Sequence, residues 1–240
     1  MALPIFKLLP QLFPFARRAW FHGLTVTRDP STMPDNIWKK IRLLRYEKHE
    51  LRGAQAVIEP GDRVLELGAG LGLIGAALSH TTKAEKFVAL EGNPQLFEGI
   101  RKLHAANGIT NIELRNVLAM PTPKPPQPFY LRDPFWASSM DADQGPYTQA
   151  VEVETVLMSD LLAEIQPQVI TCDIEGAEVS LFTPDLDLTG VRAVIMELHE
   201  RKTSRRAVKS VFDALSAQGF AYHAPYSKGE VITFLRVEAE

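Results

Sequence analysis

The sequence predicts a doubly wound α/β fold: a mostly parallel seven-stranded sheet with helices on both faces and one antiparallel strand near the C-terminus. Three observations predict it. Short apolar segments alternate with helical ones from residue 63 to residue 219, the pattern of a parallel sheet built from right-handed crossovers. A glycine-rich bend, Gly68-Ala69-Gly70-Leu71-Gly72, joins the first apolar segment to its helix. At the end, two apolar segments follow each other across a short turn, which requires an antiparallel pair.

The totals agree with one such domain. The chain has 240 residues, of which 45% are hydrophobic and 23% charged, enough to bury a large core under an ordinary polar surface. The net charge of −3 offers no basic surface for nucleic acid or anionic lipid. The one cysteine, Cys172, rules out a disulfide within the chain and fits a cytoplasmic setting. It sits inside an apolar strand and reads as a core residue. No apolar run reaches the roughly 18 residues of a membrane span, so no stable membrane insertion is expected. Residues 1–34 read as an N-terminal arm ahead of a domain at 35–240. Its apolar start is broken by Pro4, Pro10 and Pro14 and followed by Arg17 and Arg18, the reverse of a secretory signal. The arm is expected to pack on the domain or on a second subunit, as in a homodimer.

The elements follow in order. Residues 35–58 read as helical, with Ile37, Ile41, Leu44, Leu51 and Ala54 at helical spacing. Pro60-Gly61-Asp62 makes a turn into a strand at 63–67. After the glycine bend a helix runs to about Ser79. A second strand at 86–90 ends at Glu91. Asn93 and Pro94 begin a helix, as cap and first residue, and Gly108 ends it. A third strand spans 112–117. Pro121, Pro123, Pro125, Pro126 and Pro128 then exclude a helix or an inner strand and mark an insertion at about 119–155. A helix at 159–165 and a strand at 168–172 follow, the strand ending at Asp173. A short helix begins near Gly176, and a fifth strand at 193–196 ends at Glu197. An amphipathic helix at 202–218 and strands at 220–224 and 231–237 close the chain.

The bend and the acid after the second strand carry the first chemistry. Glycines let the backbone approach a ligand closely, and the helix start supplies free amides. Glu91 lies 19 residues after Gly72, where a carboxylate can accept both ribose hydroxyls of an adenosine. Gly70-Leu71-Gly72-Leu73-Ile74-Gly75 also fits the dinucleotide pattern of nucleotide-linked oxidoreductases, a weak match alone. Glu66 ahead of the bend suits the cationic donor S-adenosylmethionine better than a pyrophosphate, and no basic residue lies in the loop. The antiparallel closing pair is that of the Rossmann-like class I methyltransferase sheet. The cofactor-binding candidates are therefore Glu66, Gly68, Ala69, Gly70, Gly72, Glu91, Gly92 and Asn93, with Asn116 and Val117 at the adenine and Asp173 at the methyl end. Asn116 reads equally well as a turn cap.

A second acidic cluster, Asp173-Ile174-Glu175-Gly176-Ala177-Glu178, follows a buried strand at the edge where doubly wound sheets bind ligands. Glu178 there suits a helix start or an anchored loop. Glu197-Leu198-His199 ends the fifth strand at the same mouth. His199, Asp173 and Glu197 are the catalytic candidates. His199 is the first candidate base because an ordinary imidazole titrates near neutrality, and binding to backbone at the strand end is its other reading. The same three residues are the candidates to hold a divalent cation on the acceptor oxygen. Glu47 is placed to reach the methionine end of the cofactor. Tyr130, Phe135 and Trp136 either line an acceptor pocket or fix the insertion to the domain. His22, His49, His80, His104 and His223 show no paired spacing, and Arg205, Arg206 and Lys209 read as a solvated helix face.

From about Tyr46 to Val237 the chain resembles the FkbM family of methyltransferases. The carriers are Pro60 to Gly70, Glu91-Gly92-Asn93-Pro94, Phe135-Trp136-Ala137-Ser138-Ser139, and Thr155 to Leu161 leading into Cys172 to Glu178. The resemblance implies S-adenosylmethionine as donor and an oxygen acceptor on a small molecule such as a sugar or polyketide. Glu66 stands where many members have aspartate, Gly70 where many have asparagine, and the proline-rich stretch is a departure. Two other readings remain: a nucleotide-linked oxidoreductase, and a non-catalytic module that binds the same cofactor.

Overall fold

The computed structural model describes residues 16–237. Residues 1–15, the apolar part of the expected arm, lie outside the described residues, and so does any contact they make with the domain or a second subunit. The rest of the arm forms a hairpin, β1 (Arg18–Phe21) and β2 (Leu24–Thr27), whose alternate residues Ala19, Phe21, Leu24 and Val26 are buried in the domain core.

The segment expected as one helix at 35–58 is two, α1 (Asp35–Arg42) and α2 (Lys48–Val57). The break is at 43–47, where Leu44 and Glu47 take left-handed backbone, with φ 56° and 36°. Apolar periodicity continues across the break because both helices bury a face in the same core.

The sheet comprises β3 (Arg63–Leu67), β4 (Lys86–Leu90), β5 (Ile112–Arg115), β9 (Val169–Cys172), β10 (Ala193–Glu197), β11 (Phe220–Tyr222) and β12 (Val231–Arg236), in the order β11-β12-β10-β9-β3-β4-β5. Strand β12 runs antiparallel to both neighbours and the remaining pairs are parallel, so the protein is a doubly wound, Rossmann-like α/β fold. The crossover helices are α3 (Leu73–Thr82), α4 (Phe97–Asn107), α5 (Met158–Ile165), α6 (Glu178–Leu181) and α7 (Arg205–Ala217). Helix α7 starts at Arg205, later than the expected 202, because the Ser204 hydroxyl caps it by accepting from Ala207 N–H.

The period of two along the strands splits the core. Val64, Phe87, Val169 and Ile195 face one apolar cluster with α1–α4 and the hairpin, while Leu65, Leu67, Val88, Ile170 and Met196 face another with α5–α7. Register then sets the functional edge. Leu67 pairs with Leu90 and with Cys172, and Cys172 pairs with Met196. Gly68, Glu91 and Asp173, which follow their strands, and Glu197, the last residue of β10, therefore emerge side by side.

The expected third strand at 112–117 ends at Arg115. Asn116 turns the chain, and β6 (Val117–Met120) leaves for a second sheet of order β6-β8-β7, with β7 (Gln127–Leu131) and β8 (Gln149–Leu157). Pro128 lies in β7, an edge strand of this sheet, where a missing N–H is tolerated. The strands expected at 220–224 and 231–237 end at Tyr222 and Arg236, with a single helical turn, Ala224–Tyr226, between them.

Candidate active site

A cavity of about 350 Å³ opens at the strand-end edge. The glycine bend and Glu91 form one wall. Val117, Leu118, Ala119 and Phe129 of the second sheet form an apolar wall beside them. Phe135, Trp136, Ser138 and Met140 of the insertion cover the far side, and Asp173, Glu175, Glu197 and His199 lie at the floor.

The bend is shaped for close approach. Gly68 has φ +88°, and a Cβ there would stand 1.9 Å from the carbonyl oxygen of Asp173. The loops after β3 and β9 are thus in contact, which only a glycine permits. Gly70 lines the cavity, and its N–H donates to Glu91 Oε2 at 2.7 Å. Glu91 Oε1 accepts from Asn93 N–H, also at 2.7 Å. The carboxylate is thereby fixed beside the bend and still borders the cavity. Burial pushes its pKa up to about 7 against the pull of the backbone donors.

Several residues expected at the cofactor lie elsewhere. Glu66 shares its strand face with Val64, so alternation turns it under α3 and away from the cavity. It is 3% exposed, and its Oε1 accepts from Gly75 N–H at 3.0 Å. Close packing there requires Gly75, since a Cβ would meet Glu66 Oε2 at 2.2 Å. Asn93 caps the turn Pro94–Leu96 through Gln95 N–H. Asn116 donates to the carbonyls of Glu91 and Gly92, at 2.7 and 3.1 Å, so it ties β5 to the loop after β4. Gly72 faces Ile100 of α4, and Ala69, like these, is not part of the cavity lining. Gly68, Gly70, Glu91, Gly92, Val117 and Asp173 do line it.

The floor is built around His199. Its Nδ1 lies 3.2 Å from Glu178 Oε1, and its Nε2 lies 3.6 Å from Asp173 Oδ1 and 3.3 Å from Glu175 Oε2. Glu178 is fully buried, and Oε1 also accepts from Ile174 N–H at 2.9 Å, so this carboxylate anchors the loop after β9. Burial pulls the imidazole downward, but the bond to Glu178 and the charges of Asp173, Glu178 and Glu175 raise it to about 9. His199 therefore carries a proton at neutral pH. Its expected role as a base assumed an ordinary imidazole, and the surrounding carboxylates oppose that role by favouring the protonated ring. Asp173 is raised well above the usual carboxylate range, chiefly by burial and then by Glu50, Glu175 and Glu197, and its Oδ1 is buried without a hydrogen-bond partner. The expected cation set of Asp173, Glu197 and His199 is regrouped. Ligand atoms of Asp173, Glu178 and His199 lie within 4.8 Å of one another, and Glu197 is not of that group. Glu175 is paired instead with Lys202.

Two residues at the site, Tyr46 and Glu50, escape a reading of motifs, while Glu47 stands where it was expected. Tyr46 and Glu47 line the cavity from the break between α1 and α2. Glu50 is 5% exposed on the buried face of α2 and presses electrostatically on Asp173. The signal for Glu50 was its helical spacing with Ala54 and Val57, a carboxylate on an otherwise apolar stripe. Tyr130 points away to Tyr147, with ring centroids 4.8 Å apart, while Phe135 and Trp136 border the cavity. Arg205 and Lys209 pair with Glu200 and Asp213 on the surface.

The buried acids predict a pH dependence. Glu66 rises from 4.5 to about 8 through burial, so the folded state holds its proton more tightly than the unfolded chain. Stability from such a group is complete below pH 4.5 and is lost as pH rises through 8. Glu91 and His199 have the same sign. The melting temperature is expected to fall from pH 5.5 to pH 8.5 (roughly the window these values span). In Glu66→Gln, which keeps an acceptor for Gly75 and has no charge to bury, that fall is expected to be smaller by calorimetry. An equal fall in both proteins contradicts the account of Glu66.

No protein-family model matches the chain, and no curated protein matches its sequence. Solved structures resemble it distantly. Precorrin-6y C5,15-methyltransferase of Geobacter metallireducens GS-15 is 13% identical with a TM-score of 0.47, over 80% of this chain and 89% of that one. The ribosomal protein L11 methylase of Lactobacillus delbrueckii subsp. bulgaricus is 16% identical with a TM-score of 0.46, over 80% and 77%. Sp1610 of Streptococcus pneumoniae, in complex with S-adenosyl-L-methionine, is 14% identical with a TM-score of 0.43, over 79% and 74%. Similarity at this level transfers no activity or substrate from those proteins to this chain.

Proposed function

We propose that the chain is an S-adenosylmethionine-dependent methyltransferase, of the FkbM kind, acting on a hydroxyl oxygen of a small molecule. The observation that carries the reading is the convergence of Gly68, Gly70, Glu91 and Asp173 on one cavity. The residues suit the cofactor. Glu91 is fixed by two amides with its carboxylate at the cavity, ready to accept ribose hydroxyls. Val117, Leu118 and Phe129 offer an apolar surface for the adenine. Glu47 and Asp173 Oδ1, which is buried without a hydrogen bond, suit the ammonium and sulfonium end. When bound, that cofactor supplies a methyl group on a cationic sulfur.

The protein's part is to place an acceptor oxygen in line and take its proton. The carboxylates around His199 favour its protonated form, which leaves Asp173, the carboxylate facing it, as the candidate proton acceptor. A carboxylate whose pKa burial raises is a stronger proton acceptor than an ordinary one when it is ionised. His199, 3.6 Å away, stabilises the carboxylate form, and Glu178 and Glu175 hold the ring in place. The lining includes Glu47, Glu91, Asp173, Glu175 and Glu197 against Lys40 and His199, a surface that repels a polyanion and favours a small acceptor over nucleic acid. The Gly75 amide at the start of α3 is taken by Glu66, which disfavours a dinucleotide pyrophosphate there. Among the described residues no helix is long and apolar enough to cross a membrane.

A second reading places a divalent cation among Asp173, Glu178 and His199, favoured by their 4.8 Å grouping. Against it, the two ring nitrogens face different carboxylates, so one ion cannot replace both contacts without turning the ring. The test is transfer of labelled methyl from S-adenosylmethionine to a panel of sugar and polyketide alcohols, with and without excess EDTA. Transfer at an unchanged rate in EDTA is the expected result. Loss of transfer in EDTA, restored by Mg²⁺ or Mn²⁺, establishes the cation reading. Failure of the wild-type protein to bind S-adenosylhomocysteine in calorimetry removes the methyltransferase reading altogether.

A further inference from the structure

We infer that Arg132 is a positioning residue: it latches residues 133–145 into a fixed cover whose inner side sets which acceptor the cavity takes. The inference rests on the methyltransferase reading, since it assigns the cover to the acceptor half of that site.

The cover hangs between β7 and β8 and holds little regular structure, a single helical turn at Phe135–Ala137. Such a segment must satisfy its carbonyls some other way. Arg132 does this. It is 7% exposed, and its guanidinium donates to five backbone carbonyls. Nη1 reaches Tyr130 O and Ala137 O, both at 3.3 Å, and Nη2 reaches Asp141 O at 2.6 Å, Ala142 O at 3.3 Å and Gly145 O at 3.4 Å. Nη1 also donates to Ser139 Oγ at 3.1 Å. Among the described residues Arg132 makes no ion pair with a carboxylate. Its buried charge is solvated by the carbonyls of the segment it gathers. The backbone is tied too: Arg132 N–H donates to Ser138 Oγ at 2.9 Å, and Tyr130 and Ser139 exchange backbone hydrogen bonds at 2.8 and 3.2 Å.

The gathered segment faces the site. Phe135, Trp136, Ser138 and Met140 line the cavity. At its other end Ser139 Oγ contacts Gln144 Oε1 at 3.1 Å, and Gln144 Nε2 donates to the carbonyl of Glu175 at 3.4 Å. Glu175 in turn faces His199. The cover is therefore joined to the loop that carries Asp173, while the glycine bend and Glu91 are held by bonds of their own. The bonds that hold Gly70 and Glu91 do not pass through the cover, so loosening it is expected to act first on the acceptor wall. Lysine cannot replace the latch, because an ammonium has three donors and no planar fork to serve six acceptors on both sides.

The experiment compares wild type with Arg132→Lys by calorimetry with S-adenosylhomocysteine, by amide hydrogen exchange, and by kinetics with the best alcohol from the panel above. Exchange at 133–147 is expected to rise by about tenfold or more (roughly the loss of one to two net hydrogen bonds), with S-adenosylhomocysteine affinity within about twofold of wild type. The acceptor KM should rise about tenfold with a smaller change in kcat. Unchanged exchange at 133–147 overturns the latch. A fall in S-adenosylhomocysteine affinity to match the acceptor KM overturns the assignment to the acceptor half. A wild-type protein that binds no S-adenosylhomocysteine fails the underlying reading instead, and the exchange result still reports on the latch. Should Arg132→Lys not fold, Gln144→Ala removes the tie to Glu175 together with the Ser139 contact, and an acceptor KM unchanged in that variant counts against the inference.

Discussion

Glu91→Ala is expected to weaken S-adenosylhomocysteine binding by about 100-fold or more, the loss of two charge-assisted hydrogen bonds at about 1.5 kcal/mol each. Two effects add. The carboxylate that would receive the ribose hydroxyls is removed, and the amides of Gly70 and Asn93 lose their acceptor. Wild-type binding should also release a proton near pH 7, because hydroxyl donors favour the ionised form of a carboxylate that burial holds at about 7. The release is measured by titration in buffers of different ionisation enthalpy and should vanish in Glu91→Ala. An unchanged dissociation constant in the variant removes Glu91 from the cofactor site, and with it the geometry on which the proposed function stands.

Gly68→Ala is expected to be the more damaging change for the fold. The new Cβ would lie 1.9 Å from Asp173 O and 2.9 Å from Asp173 C, both backbone atoms, at φ +88°. Neither loop can yield by rotating a side chain. The expected destabilisation is about 3 kcal/mol, a fall in melting temperature of roughly 6–12 °C, with loss of S-adenosylhomocysteine binding as the loops after β3 and β9 separate. Gly99→Ala is the control. Its Cβ meets nothing within 4 Å on α4, so alanine there should leave stability unchanged or raise it by about 0.5–1 kcal/mol. Equal melting temperatures for the two variants contradict the close approach at Gly68.

Much of the fold was legible because the strands of the main sheet are short, apolar and bounded by turn residues. Val64 to Leu67, Val88 to Leu90 and Val169 to Cys172 are buried on both faces, and such runs are distinct in sequence. The two-helix form of 35–58 was not legible. Neither Leu44 nor Glu47 is a residue type that announces left-handed backbone, and tertiary packing imposes it. The departure of Val117 into a second sheet was hidden for a similar reason. A one-residue turn at Asn116 lets apolar positions recur on either side of it, and the strand pairings with the hydrogen bonds from Asn116 to Glu91 and Gly92 show where β5 ends.

The site divides along the same line. Sequence alone determined which residues stand at strand ends, because register in a parallel sheet follows from apolar segments of matched length; Gly68, Glu91, Asp173 and Glu197 were available to one edge on that ground. Only the tertiary structure decided what each of them does. Strand alternation sends Glu66 under a helix while Glu91, one residue past its strand, borders the cavity. Carboxylates from distant positions surround His199 and favour the protonated form of a candidate base. Charge state depends on distance and burial, and neither is written in the spacing of residues along a chain.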